Sequence, residues 1–552
     1  MTSVAEVVHE RRSALRERLD SLTSPSGLFI AAVVVILAFP VTRTIQDPDF
    51  WWHLRAGQLI IQHGGLLGND PFTYTVPNHH WTMHEWLNEV LFAVEYAIGG
   101  LGLIVLILSA VTWAGLLCVM QKARLRNPGR AALGAGMLIA VVAGFPIWGP
   151  RVQMITFAFA ALTLLVVERH LARGGKAIWW LVPVFLLWTN FHSGFVIGLG
   201  FIAIILVAEV AGSWLRMPDP APRERLRPLL WVLIACTAVS MINPNGPTIL
   251  LYALGTQTSG AQQSLIEEWF SPSFHDWEVL VYGVMLLALA ALVVFNRHLR
   301  ARDAVLVLVT VALSLQSARH IALFVAAATP VFIDQIALAS PRIRVAVRRL
   351  RRIPDTARTR ARVLPPLAFR VTAASLLMVL MGGIYLAWLL PKMELQPYSL
   401  AYAQEFPVCA AQWLKAAPQP LRIFNQYGEG GYLAYELSSR GDKVFIFGDA
   451  ALMGDPLLYT YADVETVAPD WESIIRNYGT DIVLYDVNTP LADVMAHTAG
   501  WVKVYQDALS VAYVPADKLA SLHLPPAPAS YPPDSVCGQL AKSPTNSGAQ
   551  NQ

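Results

Sequence analysis

The sequence predicts an α-helical polytopic membrane protein of about eleven spans, followed by a C-terminal extracytoplasmic α/β domain. Three observations carry that prediction. Of the 552 residues, 55% are hydrophobic and only 14% charged, whereas a soluble globular protein carries about 25% charged residues. Apolar runs of spanning length recur as far as residue 390, and Lys and Arg gather in the segments between alternate pairs of runs. After residue 391 the composition changes to that of a folded, water-facing domain. The net charge of +3 says little, but its distribution sets the topology.

Residues 1–26 read as a polar, amphipathic helix on the cytoplasmic side. Arg11, Arg12, Arg16 and Arg18 precede the first apolar run and no small-residue cleavage site follows it, so the run is expected to stay as a signal anchor. The transmembrane domain, 27–390, contains apolar runs at 27–45, 99–120, 132–148, 152–168, 177–190, 194–214, 228–243, 279–296, 303–316, 320–338 and 371–390, with a first outer loop at 46–98. Basic clusters fall at Lys122/Arg124/Arg126/Arg130, Arg169/Arg173/Lys176, Arg216/Arg223/Arg225/Arg227, Arg297/Arg300/Arg302 and in an arginine-rich linker, 342–370. The positive-inside rule places all of them in the cytoplasm with the N-terminus, and places the linker near anionic headgroups. Each stretch between clusters is then a hairpin whose tip lies outside. This topology fits a bacterial inner (plasma) membrane.

The extracytoplasmic domain is expected at 391–522. Leu421–Phe424, Val444–Phe447 and Ile482–Tyr485 have the apolar character of buried strands. Trp471–Asn477 and Leu491–His497 suit short helices, and Val502–Tyr505 with Val511–Val514 suit a hairpin. Residues 523–552, rich in Pro, Ser, Asn and Gln, read as a disordered tail. Cys118 and Cys236 lie in apolar runs. Cys409 and Cys537 lie in the water-facing part, where an oxidising compartment permits a pair whose geometry the sequence leaves open.

The candidate chemistry begins at Asp47-Pro48-Asp49-Phe50-Trp51-Trp52-His53, directly after the first run. Pro48 biases Asp47 away from helix and so ends the span. A carboxylate at the water–membrane boundary suits proton abstraction from a hydroxyl or metal binding, as well as simple helix capping. Trp51, Trp52 and Trp86 suit sugar stacking or an interfacial belt. Asp70-Pro71-Phe72-Thr73-Tyr74 reads as a turn, and His79, His80, His84 and Glu85 follow it. Their spacing matches no standard helical metal motif, so a divalent metal is possible but not assigned. The hairpin tips carry Arg151, His192, Glu267, Glu268, Arg319 and His320 on the same outer face. Arginine forks match phosphate oxygens, and polar groups at membrane depth are candidates for function.

Taken together, Asp47–Gly57, Asp70–Tyr74, His84–Glu89, Arg151–Gln153, Trp188–His192 with Gly194, Asn243–Gly246, Glu268–Pro272, Ala318–His320 and Gly430–Leu433 resemble a family. The chain is similar to bacterial multi-span proteins related to GT-C-type glycosyltransferases, with the layout of protein mannosyltransferases and aminoarabinose transferases. The resemblance implies that a carboxylate just after the first span, Asp47 or Asp49 here, is catalytic or metal-associated. It implies a polyprenyl-phosphate sugar donor whose phosphate meets Arg151 and Arg319. Related chains often carry an acidic residue followed by Gly-Arg after the second strand of the outer domain; Phe447-Gly448-Asp449-Ala450-Ala451 keeps the aspartate and lacks the arginine.

The expected activity is transfer of a sugar from a polyprenyl-phosphate donor to an extracytoplasmic acceptor hydroxyl. Asp47 and Asp49 are the candidate catalytic groups. Trp51, Trp52, His53, His84, Glu85, Arg151, His192, Glu267, Glu268, Arg319 and His320 are candidates for substrate binding. Partners are the lipid-linked sugar, a glycan, lipid or protein acceptor, and membrane lipids, with no nucleic acid. A transporter or flippase for a lipid-linked or polar solute and a non-catalytic envelope assembly protein are the alternatives. The nearly pure Leu, Val, Ile and Ala of the span centres argues against the transporter.

Overall fold

The computed structural model describes residues 4–350, 365–393 and 395–542. Each of the eleven apolar runs falls on helix. Six of the described helices are long and apolar enough to cross a membrane, or seven if the bent pair Ser13–Leu22 and Pro25–Val41 forms one span. The chain is thus a multi-pass membrane protein with fewer full-length helices than the number of runs suggests. The difference is one of length. Helices such as Leu181–Phe191, Arg130–Ala143, Ala301–Gln316 and Arg223–Val239 have 11 to 17 residues. At 1.5 Å per residue they reach roughly 16–26 Å, short of a hydrocarbon core of about 30 Å.

Ile321–Leu350 runs through the centre of the bundle, packed by Arg130–Ala143, Trp277–Asn296 and Ala301–Gln316. Leu367–Met393 lies on the outside, with only 6% of its apolar window covered by protein, so its side chains suit lipid. At one end of the bundle the basic clusters meet buried carboxylates. Arg126 pairs with Asp303 at 2.8 Å, Arg300 and Arg302 reach Glu168 at 3.0 and 3.1 Å, and Arg302 also binds Glu209. This network ties the ends of several hairpins, as expected if those ends share one side of the membrane. Of the arginine-rich linker, 351–364 lie outside the described residues.

The opposite end carries the water-facing domain. Its sheet is built from β1 (Arg422–Asn425), β2 (Lys443–Val444), β3 (Ile482–Asp486), β4 (Trp501–Gln506) and β5 (Ser510–Pro515), in the order β2-β1-β3-β5-β4. β2, β1 and β3 are parallel, with Ile423 between Val444 and Ile482. β5 is antiparallel to both β3 and β4, so the expected hairpin closes one side. β2 is shorter than the apolar stretch Val444–Phe447. Beyond Val444 the Phe445 N–H still donates to the Ile423 carbonyl at 2.8 Å, and the Asn425 side chain then takes over, accepting from the Phe445 N–H at 3.0 Å and donating to the Ile446 carbonyl at 2.9 Å.

The other edge of β2 is covered by the first outer loop. The Val444 N–H donates to the Phe72 carbonyl at 3.0 Å, and the Tyr74 N–H donates to the Val444 carbonyl at 3.3 Å. Asp70 shapes the turn that brings them there, accepting from the N–H groups of Phe72 and Thr73 at 2.7 and 3.1 Å. Loop and domain therefore share a single apolar core, in which Trp51, Phe72 and Trp81 pack with Tyr432 and Phe447. The segment expected as a disordered tail is a correction. Cys537 forms a disulfide with Cys409, and the helix Val536–Leu540 is seated on the domain. The bond tethers a stretch whose composition alone carries no folding signal; 543–552 lie outside the described residues.

Candidate active site

Asp47 opens the site by holding the turn into the helix Phe50–His63. Its Oδ1 accepts from the Asp49 N–H at 3.1 Å, and its carbonyl accepts from the Phe50 N–H at 3.2 Å. Its Oδ2 accepts from Arg151 Nε at 3.1 Å, and the far side of the same guanidinium pairs with Glu268. Asp47 and Arg151 thus neutralise one another at the base of the loop. Asp49 is placed differently. Trp52 Nε1–H donates to its Oδ1 at 3.2 Å, and the carboxyl lies against the end of the sheet. A Cβ on Gly448 would stand 1.5 Å from Asp49 Oδ1, so a side chain there would displace the Asp49 carboxyl from this position. Burial, followed by the nearby Asp47 charge, pushes the Asp49 pKa up to about 6.

One turn on, His53 lies between two carboxylates, with Glu85 at 3.2 Å and Glu89 at 3.3 Å. The arrangement depends on Gly57, where a Cβ would lie 1.8 Å from the Glu89 carbonyl oxygen. Two helices can cross that closely only over a glycine. Glu85 also meets His84 at 3.0 Å and His192 at 3.3 Å, so one buried carboxylate serves three histidines. Burial opposes the charge on Glu85, but His192, His53 and His84 hold it well below the usual carboxylate range. Burial likewise opposes a charged His53, yet Glu85 and Glu89 raise it to about 9.

These groups border a cavity of about 1210 Å³ between the bundle and the sheet domain. Of the residues anticipated from sequence, Asp49, Trp52, His53, His84, Glu85, His192, Glu267, Glu268, Arg319 and His320 line it. Asp47, Trp51 and Arg151 do not. Trp51 is wholly buried among Tyr402, Phe406, Tyr432 and Tyr435, where it joins loop to domain. Trp86 donates from Nε1 to Asn190 Oδ1 at 3.0 Å, away from the lining. Arg319 forms no ion pair among the described residues; its guanidinium rests 4.5 Å above the Trp269 ring and opens into the cavity. Among the described residues no three His, Cys, Asp or Glu side chains are arranged to hold a metal ion.

The structure adds lining residues that the sequence did not single out, among them Tyr252, Tyr427, Glu429, Tyr461, Glu465 and Asp486. Tyr252 comes from the third hairpin tip, where the helix Thr248–Thr258 places its ring 4.7 Å from His84. Tyr427, Glu429 and Asp486 come from the carboxyl ends of β1 and β3, the usual ligand side of an open α/β sheet, and Tyr461 and Glu465 from the helix Asp455–Glu465. Asp449, the aspartate after β2, is structural: Oδ1 accepts from the Leu452 N–H at 3.1 Å and Oδ2 accepts from Trp81 Nε1–H at 2.7 Å.

No family model and no curated protein sequence matches the chain. Solved structures do. The oligosaccharyltransferase AglB from Archaeoglobus fulgidus, in complex with an inhibitory peptide and a dolichol-phosphate, superposes with a TM-score of 0.55 at 13% identity, over 86% of this chain and 73% of that one. The apo form of the Archaeoglobus fulgidus oligosaccharyltransferase gives 0.53 at 12% identity, over 88% and 74%. ArnT from Cupriavidus metallidurans, in the apo state, gives 0.48 at 16% identity, over 90% and 98%. On the first two likenesses, the chain has the fold of the GT-C-type membrane glycosyltransferases.

Proposed function

We propose that the protein is a membrane glycosyltransferase that moves a sugar from a polyprenyl-phosphate donor to an acceptor hydroxyl outside the membrane. The observation that carries this reading is the shared cavity of Asp49 and Arg319. A buried carboxyl of raised pKa and an unpaired guanidinium open into one large space at the outer end of an apolar bundle. In the proposed step the acceptor oxygen attacks the anomeric carbon of the donor sugar and passes its proton to Asp49. The bond between that carbon and the phosphate oxygen breaks, and its electron pair leaves with the phosphate, whose charge Arg319 balances. Arg151 is assigned a positioning role, because Asp47 and Glu268 already occupy it. His53, held by Glu85, packs against the Trp52 ring and so supports the indole that binds Asp49. The dolichol-phosphate held by the structural neighbour supports a lipid-phosphate donor. The Cys409–Cys537 disulfide supports an oxidising, extracytoplasmic compartment for the outer domain.

The test is sugar transfer in membranes of a deletion strain complemented with variants. Asp49→Asn is expected to lower transfer by about 10²–10⁴-fold, the usual contribution of a general base. Arg319→Ala is expected to weaken undecaprenyl-phosphate binding, while Asp47→Asn acts mainly through stability. Full transfer by a correctly inserted Asp49→Asn variant sinks the mechanism.

A further inference from the structure

We infer that the sheet-side half of the cavity is an acceptor subsite for a neutral, polyhydroxylated chain, a glycan, bound by Glu429, Glu465 and Asp486. The inference rests on the glycosyltransferase reading and adds the class of acceptor to it.

Glu429 follows β1 and is only 6% exposed, yet its buried Oε2 takes no hydrogen bond among the described residues. It lines the cavity. A buried carboxyl oxygen without a partner is costly, and a ligand group is the natural way to satisfy it. Asp486 ends β3 on the same lining. Its Oδ1 accepts from the Asn488 N–H at 2.7 Å, and Oδ2 has no hydrogen bond among the described residues. Glu465 uses Oε1 for the hydroxyls of Tyr485 and Tyr461, at 3.1 and 3.3 Å, and no hydrogen bond reaches Oε2 among the described residues. The rings of Tyr427 and Tyr461 border the same space.

The choice of a neutral polyol over a cation follows from the mix of donors and acceptors. Burial, and then Asp486 and Asp507, push the Glu429 pKa well up, so its carboxyl keeps a proton to donate. Asp486 and Glu465 accept. Hydroxyl groups both donate and accept, whereas an ammonium only donates. Because Gly448 touches Asp49, the two halves of the cavity adjoin, and a glycan held by the sheet presents an end hydroxyl towards Asp49.

The experiment is calorimetric titration of the full-length protein in detergent with mannotriose, maltotriose and chitotriose, with spermidine as the cation and undecaprenyl phosphate as the donor-side probe. At least one trisaccharide is expected to bind. Glu429→Ala and Asp486→Asn are each expected to weaken it by about tenfold, the loss of one strong hydrogen bond. Undecaprenyl-phosphate affinity stays unchanged in both, which also shows that they are folded. If Glu429→Ala fails to fold, Glu429→Gln with Asp486→Asn makes the same comparison. Absence of trisaccharide binding, binding unaltered in both variants, or preference for spermidine overturns the subsite. Trisaccharide binding that responds to the variants in a protein blind to undecaprenyl phosphate upholds the subsite and sinks the donor reading instead.

Discussion

Asp49 and His53 stand one helical turn apart and respond to pH in opposite senses. A base works only when deprotonated. With the Asp49 pKa near 6, kcat/KM is expected to fall about tenfold per pH unit below pH 6 and to level above it; the residual rate of Asp49→Asn lacks that limb. His53 titrates in the folded state at about 9, against an ordinary value of 6.5. Its contribution to stability is therefore complete below pH 6.5 and is lost as pH rises through 9. It amounts to roughly 3 kcal/mol, and His53→Gln is expected to flatten the thermal unfolding midpoint across that window. The two arginines show where residue-scale reading of a sequence stops. Arg151 and Arg319 occupy equivalent hairpin tips. What separates them is Glu268, contributed by another hairpin, which with Asp47 occupies one guanidinium and leaves the other open to the cavity.

The elements divide the same way. Helices in the apolar runs and the strands of the outer domain are legible because burial imposes a local period or a local apolar block. The crossing of Phe50–His63 over Trp86–Arg124 is not, since it turns on the missing side chain of Gly57. Replacing Gly57 by Ala drives a methyl into the backbone of Glu89, which cannot rotate away. The expected cost is about 1–3 kcal/mol, read as a lowered unfolding midpoint, with a larger loss of transfer because His53 and Glu89 separate. Trp86–Arg124 bends at Gly99 and Gly100, the latter in the left-handed region at φ 62°. The bend coincides with the boundary read from sequence between the first loop, 46–98, and the apolar run 99–120.

At the scale of the molecule, the fold joins a lipid-embedded bundle to a water-facing domain through loops rather than through one linker. Ser259, on the third hairpin tip, donates to Asp455 at 2.6 Å, and the first loop completes the sheet edge. The disulfide encloses the outer domain, closing 128 residues between Cys409 and Cys537. Cys409→Ser, or a reductant, is expected to destabilise that domain by about 2–5 kcal/mol, seen as earlier unfolding of the outer half while the bundle persists. The sequence permits the pair without fixing its geometry and leaves the loop-to-sheet bridge illegible, because each depends on distant segments meeting. That distance has a consequence for biosynthesis. Phe72 and Tyr74 are translated early, yet their partner Val444 follows some 370 residues later. At about 5–20 residues per second, the first loop waits roughly 20–70 s with Phe72 and Trp81 uncovered. Until Val444 emerges, the nascent chain carries an exposed aromatic surface open to proteolysis.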